Sequence, residues 1–219
     1  MSADDTRTRI LNAAGPVFAE QGFAKATVRE ICNLAQVNLA SVNYHFGGKE
    51  RLYIEAIKHI HHRRVEQNPL PNWPPGTSAK VRLKDFVQNM VTSMQSSDES
   101  SWETRLMTRE MMHPSGACRE LVEDFVRPHF GMLLSILQEL VPKGLPEHRL
   151  QQLGFSVIGQ CTFYRFHREV IRLLIPREEL QQFFTPQNLA AHITEVVLAG
   201  ATQLKDELAV PPSVATHSG

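Results

Sequence analysis

The 219-residue sequence predicts an all-α protein, and three observations carry that expectation. Apolar residues recur at the i, i+3, i+4, i+7 spacing of helices that bury one face. No run alternates apolar and polar residues long enough to specify a strand. Proline, glycine and capping residues fall between the periodic stretches, where helices begin and end. The densest break is Asn68-Pro69-Leu70-Pro71-Asn72-Trp73-Pro74-Pro75-Gly76, which no helix can cross because proline lacks the N–H and clashes with the preceding turn. It divides a front unit, 1–67, from a larger rear unit, 68–209, and the tail 210–219 reads as frayed.

In the front unit, Ile10, Ala13, Ala14, Val17 and Phe18 mark the buried stripe of a first helix, with Pro16 inside it. Thr27-Val28-Arg29-Glu30 has the form of a capping box, Thr accepting from the N3 amide and Glu reaching back, and opens a helix through Leu34. Asn38 and Ser41 cap the next, 38–45. Gly47-Gly48 ends it, and a fourth helix runs from Lys49 to Glu66 with Leu52, Tyr53, Ala56, Ile57 and Ile60 inward. The rear unit reads as helices at 79–97, 101–112, 117–141, 147–174 and 187–208. Ser100 with Glu103 caps the second of these. Pro142 and Gly144 end the third, Pro176 ends the fourth, and Pro186 opens the last, at a position where its missing N–H costs nothing.

Composition narrows the function classes. Lys plus Arg equals Asp plus Glu at 23 each, 42% of residues are apolar and 21% charged, an ordinary globular balance. No apolar run approaches a membrane span, and Met-Ser-Ala-Asp-Asp lacks a signal peptide's basic and apolar regions, so the expectation is a soluble cytoplasmic protein with no membrane partner. Cys32, Cys118 and Cys161 are odd in number and far apart, which argues against disulfides and a zinc cluster. Zero net charge excludes a uniformly basic surface but not a local patch. Residues 1–67 hold 9 Lys/Arg against 7 Asp/Glu and residues 68–219 hold 14 against 16, a slight asymmetry that favours the front for an anionic partner.

Two short helices joined by a tight turn, with supporting helices before and after, make a helix-turn-helix, whose second helix can enter the major groove. The run Ile10-Leu11-x-Ala13-Ala14-x-x-Val17-Phe18-Ala19-Glu20-Gln21-Gly22-Phe23, then Thr27-Val28-Arg29-Glu30-Ile31, then Val37-Asn38-x-x-Ser41-Val42-x-Tyr44-His45-Phe46-x-x-Lys49-Glu50-x-Leu52, resembles the tetracycline-repressor (TetR) family over residues 6–57. The resemblance implies that Thr27 and Lys49 hold phosphates, and that Asn38, Leu39, Ala40, Ser41, Asn43, Tyr44 and His45 lie on or beside the groove-facing surface. Val28, Ile31, Val37, Val42 and Phe46 are core. Arg29 is either an exposed helix-surface arginine or a phosphate contact. Four positions depart from the family pattern. Gln36 replaces the turn glycine and would be strained at positive φ. Leu39 replaces a frequently basic or polar residue, Asn43 replaces an aromatic and could pair with adenine, and Pro16 interrupts the first helix. These departures bear on the operator sequence, not on DNA binding.

The resemblance implies an effector-binding, dimerising rear domain. Leu189, Ile193, Val196, Val197 and Gly200 stripe the last helix, and the preceding helix is apolar on more than one face: Phe155, Val157, Ile158, Cys161, Phe163, Phe166, Val170 and Ile171. Pairing of these two helices with their symmetry mates would form a homodimer; intramolecular core is the alternative. Arg109-Glu110-Met111 with Arg127-Pro128 resembles a TetR subgroup whose rear domain carries an REM…RP pattern. Polar groups on apolar helices either pair or line a cavity, which makes Arg105, Arg109, Tyr164, Arg165 and His167 candidates for a small-molecule effector carrying a carboxylate, phosphate or several acceptors.

Other chemistries are weighed and set aside. Glu110-x-x-His113 has di-iron ligand spacing, but His192-x-x-Glu195 runs in the reverse order, and both Glu110 and His113 read as surface residues. His59, His61 and His62 could chelate a metal, but they close the fourth helix, where cationic histidine suits the dipole. Gly47-Gly48-Lys49 is no phosphate loop. Cys32 and Cys161 read as small core residues, and Cys118 as the most exposed of the three thiols. No catalytic set, cofactor site or metal site emerges. The expectation is a ligand-responsive, dimeric repressor of a palindromic double-stranded DNA operator. A helical enzyme or metal-binding bundle, and a protein-binding adaptor, are the rivals.

Overall fold

The computed structural model describes residues 3–67, 69–95 and 101–209, all of whose regular elements are helical. The frayed tail expected at 210–219 and the cap expected at Ser100 lie outside the described residues. No helix among the described residues is long and apolar enough to cross a membrane.

Packing divides the chain into two compact units, and the division is not linear. One comprises Met1–Pro69 with Ser96–Pro128, the other Leu70–Gln95 with His129–Gly219. The proline stretch does separate the helix Lys49–Gln67 from the helix Ala79–Gln95, but the chain then returns to the first unit before entering the second again. The linear boundary at 67/68 therefore differs from the packing over 96–128, because the helix Trp102–Met112 buries Leu106 and lays Trp102 on the helices of the front unit.

The first unit holds α1 (Ala3–Lys25), α2 (Val28–Ala35), α3 (Leu39–Phe46), α4 (Lys49–Gln67), α6 (Trp102–Met112), the short α7 (Cys118–Leu121) and a π-helical turn (Val122–Val126). Helix α1 carries Pro16 in its interior and is broken near its end at Gly22, whose φ of 75° and ψ of 168° are not helical. Ile10, Leu11, Ala14, Val17 and Phe18 of α1 pack with Ile31, Val42, Phe46, Leu52, Ile57 and Leu106 into one apolar core. At Gly15 the Trp102 ring of α6 lies directly against α1: a Cβ built there would be 2.0 Å from it. Ser101, not Ser100, caps α6, accepting from Thr104 N at 3.2 Å.

The second unit holds α5 (Ala79–Gln95), most of α8 (Arg127–Leu140), α9 (Glu147–Phe166), α10 (Arg168–Leu174), α11 (Arg177–Phe183) and α12 (Pro186–Ala209). Leu83, Phe86, Val87, Leu133, Ile136, Leu137, Val157, Ile193 and Val197 form its core, with α5, α9 and α12 mutually packed. Three expectations are corrected here. The helix expected at 117–141 is divided by the π turn, and the one expected at 147–174 breaks at His167, whose φ of −111° and ψ of 23° leave the helical region. Helix α11 was not anticipated; it follows Pro176 with Glu178 and Glu179 in its first turn, where acidic residues suit the helix dipole.

Candidate nucleic-acid interface

The interface begins with how α2 and α3 are started and stopped. Thr27 caps α2, its Oγ1 accepting from Glu30 N at 3.2 Å. The reciprocal half of the expected capping box is not made: the Glu30 carboxylate accepts instead from Gln21 Nε2 of α1 at 2.7 Å. Helix α2 ends at Gln36, which adopts φ 53° and ψ 48°, the left-handed conformation anticipated from its place in the turn. Such a conformation costs a non-glycine residue roughly 1–2 kcal/mol. Arg9 Nη2 braces this turn from α1, donating to the carbonyls of Ala35 at 2.6 Å and Gln36 at 3.2 Å.

Asn38 then caps α3, its Oδ1 accepting from Ser41 N at 2.8 Å and Ser41 Oγ at 2.9 Å. Val42 and Phe46 turn into the core, which forces the opposite face outward. On that face Ala40 and Asn43 are exposed and Tyr44 is 82% exposed, its ring edge-on to His45. Leu39, the first residue of α3, is 56% exposed. Ser41 and His45 are half-buried at the margins. Gly47 closes the helix at φ 73°. Thr27 and Arg29 are exposed on α2. Lys49, at the start of α4, is half-buried: its Nζ donates to Ala24 O at 3.2 Å and lies 4.8 Å from the Phe23 ring centre.

Behind α3, α4 is fixed by polar contacts that the sequence did not foretell. Glu110 is only 4% exposed. It accepts from Tyr53 Oη at 2.7 Å, Ser115 N at 2.9 Å and Ser115 Oγ at 3.0 Å. The surface reading of Glu110 is thus overturned, whereas His113 is exposed at the end of α6. Burial, and then the Glu110 carboxylate, push the Tyr53 phenol far above its ordinary value, so it remains a donor. Lys58 of α4 bonds Asp124 at 2.6 Å and Glu120 at 2.7 Å. Arg51 reaches Glu120 and Glu55, and Arg7 of α1 reaches Glu55 at 2.6 Å.

The histidines at the end of α4 differ in their surroundings, His59 and His61 half-buried and His62 exposed. His61 stacks on Phe125 with ring centres 3.7 Å apart, and His62 meets the same ring edge-on. Burial first, then the charges of Arg63 and Arg7, lower the His59 pKa below its ordinary value. His59 is therefore neutral near pH 7, not the dipole-stabilising cation expected. Among the described residues no group of three or more metal-binding side chains comes together.

The five effector candidates are not assembled within either unit. Arg105 and Arg109 sit on the exposed side of α6 in the first unit, and the Arg109 guanidinium lies over Gly22, within 2.5 Å of where a Cβ would be. Tyr164, Arg165 and His167 lie at the end of α9 in the second. Arg165 Nη1 donates to Met94 O at 2.8 Å, joining α9 to the end of α5. His167 stacks on Phe163 at 4.5 Å, and burial raises the Tyr164 pKa.

A short capped helix, a braced left-handed turn and a second short helix with one face held outward define a helix-turn-helix DNA-binding protein. Residues 10–56 match the family model for bacterial regulatory proteins of the tetR family. Residues 79–201, more than half of the chain, match the model for the C-terminal domain of the HTH-type transcriptional dual regulator CecR. The chain belongs to the TetR family of bacterial transcriptional regulators, whose members are not enzymes. It is 22% identical over 216 residues to the HTH-type transcriptional dual regulator CecR of Shigella flexneri, a match spanning 93% of this chain and 96% of that protein. It is 42% identical to the HTH-type transcriptional repressor NicS of Pseudomonas putida, but only over 59 residues, 27% of this chain and 28% of that one. In fold it is similar to a tetR-family regulatory protein from Rhodococcus RHA1, with a TM-score of 0.60 at 19% identity over 92% of this chain and 98% of the other.

Proposed function

We propose that the protein is a cytoplasmic, ligand-responsive repressor that binds a palindromic operator as a homodimer. The observation that carries this reading is α3, which keeps Ala40, Asn43 and Tyr44 outward while Val42 and Phe46 anchor it in the core. Thr27, Arg29 and Lys49 flank α3 as phosphate contacts, while Asn38, Leu39, Ala40, Ser41, Asn43, Tyr44 and His45 make or border the base-reading surface. Lys49 would trade its bond to Ala24 O for a phosphate oxygen, aided by the positive N-terminal end of α4.

Dimerisation through α9 and α12 is supported by apolar surface that neither helix buries within its own unit. Phe155 is 62% exposed and Val196 46%, and Phe163 is also exposed. Gly159 and Gly200 have open space where a Cβ would stand, which suits close approach of a second copy. The two groove helices of such a dimer would occupy half-sites about 34–36 Å apart. An effector held by the second unit, with Tyr164, Arg165 and His167 as its polar contacts, would release the operator by binding the non-DNA state better than the DNA-bound one. Arg105 and Arg109 are assigned to the surface of the first unit.

Selection of bound duplexes from a random pool by the full-length protein, at near-physiological salt, tests the reading. A recovered palindrome is expected. Val196→Glu should leave the fold intact, yield a monomer by sedimentation and lose the palindrome. Enrichment of no sequence by folded dimer would overturn DNA reading by α3.

A further inference from the structure

The first turn of α3 is chemically unlike the second, and the difference points to a particular base. Asn38 precedes the helix, but its Oδ1 already accepts two bonds from Ser41. Leu39 and Ala40, the next two residues, have no polar side-chain atom, and both are exposed. The Ser41 hydroxyl that follows is half-buried and donates to Asn38 Oδ1, and the next exposed hydrogen-bonding groups are Asn43 and Tyr44, one turn on. In a groove-reading helix the N-terminal residues meet the base edges. An isobutyl group pressed against guanine, adenine or cytosine would strip water from donors or acceptors and give nothing back. The major-groove edge of thymine differs in carrying a methyl group at C5.

We propose that Leu39, supported by Ala40, reads the C5-methyl of a thymine in each operator half-site, so that this position is specified by apolar contact and not by hydrogen bonding. The inference rests on α3 being the groove helix. It also accounts for an exposed leucine at the start of a helix that buries Val42 and Phe46.

The test uses the full-length protein and the duplex recovered by selection. Each half-site thymine is replaced in turn by deoxyuridine, which removes only the methyl group. One thymine per half-site should lose about three- to fivefold in affinity, the amount expected from one buried methyl. At that position cytosine should bind worse still, and 5-methylcytosine should recover part of the loss. Leu39→Ala should bind the unmodified duplex more weakly and no longer distinguish thymine from uracil there. Because Leu39 is exposed, the variant is expected to fold, and circular dichroism checks that it does. Wild-type indifference to every uracil, or full uracil sensitivity retained by Leu39→Ala, would overturn the assignment while leaving DNA binding standing. Failure of the wild-type protein to select any duplex would overturn both.

Discussion

In the first unit, side-chain hydrogen bonds join segments far apart in sequence: Tyr53 to Glu110, Lys58 to Asp124, Arg64 to Thr104, Arg9 to the carbonyl of Ala35. The second unit has Trp73 on Asp85, Arg82 on Glu139 and Arg165 on the Met94 carbonyl, but apart from Thr194 its buried core is built of apolar side chains, and apolar surface continues outside on Phe155, Phe163 and Val196. The difference teaches what each unit can tolerate. Directional bonds accept one geometry, which suits a helix that must meet base edges in register. Apolar packing accepts rearrangement at small cost, which suits the dimerising, effector-responsive role proposed for the second unit.

The largest effect should come from breaking a satisfied polar site in the first unit. Glu110→Ala removes the acceptor for Tyr53 Oη, Ser115 N and Ser115 Oγ together and leaves the buried Tyr53 hydroxyl and the half-buried Ser115 donors unpaired, at about 3 kcal/mol of stability. The counterpart in the second unit is Thr194, whose Oγ1 is buried without a hydrogen-bond partner among the described residues. Thr194→Val should therefore cost nothing or stabilise by up to about 1 kcal/mol. Urea unfolding of the two variants measures the contrast, and equal losses would erase it.

A smaller difference should appear between two glycines. A Cβ at Gly15 would sit 2.0 Å from the Trp102 ring, deep in contact, so Gly15→Ala should cost about 1–3 kcal/mol through displacement of the indole. At Gly154 the nearest atom is a Phe130 ring carbon at 2.8 Å, on a half-buried side chain stacked on exposed Phe155. That ring can yield, and Gly154→Ala should cost less than about 1 kcal/mol. Thermal melts rank the pair, and indole fluorescence should shift only for the first. Gln36→Gly should act in the opposite sense, raising stability by about 1 kcal/mol, because glycine adopts φ 53° without the steric cost that glutamine bears.

The same contrast explains what could be read from sequence. The caps at Thr27 and Asn38, the buried positions Ile31, Val42 and Phe46, and the strained turn at Gln36 all follow from neighbours within a few residues, and all were legible. Glu110 was not, because its burial depends on Tyr53, 57 positions away, and its spacing to His113 suggested only a surface pair or a metal ligand. Arg9 was missed for the same reason: nothing local marks it as a brace for a turn 26 residues on. In the second unit the apolar stripes were visible. The break at His167 was not, because the residues around it keep helical periodicity and no proline or glycine interrupts them. Nor could five polar residues on two stretches of helix be sorted between units, since a chain that leaves a unit and returns to it carries no local sign of doing so.

The smallest effect, and the one that tests the polar character of the first unit most narrowly, is the pH dependence contributed by His59. Its folded-state pKa is lowered from 6.5 by burial and by Arg63, Arg7 and His62, against a weaker opposing pull from Glu66. Between the folded and unfolded values the unfolded chain binds more protons, so stability rises with pH through that window. The contribution is complete above pH 6.5 and is lost progressively as the pH falls below it. His59→Asn removes the titrating group, so urea midpoints measured from about pH 5 to 7.5 should fall less steeply on acidification than those of wild type. The groups shifted in the second unit, Cys161, pushed up to about 12, and Tyr164, also raised, titrate well above that range and cannot mimic the effect. Identical slopes for wild type and His59→Asn would mean that His59 takes up its proton as readily in the folded chain as in the unfolded one. Water and charge around the end of α4 would then be those of an open surface, and the first unit would be less tightly closed there than its bonds to α6 and α7 imply.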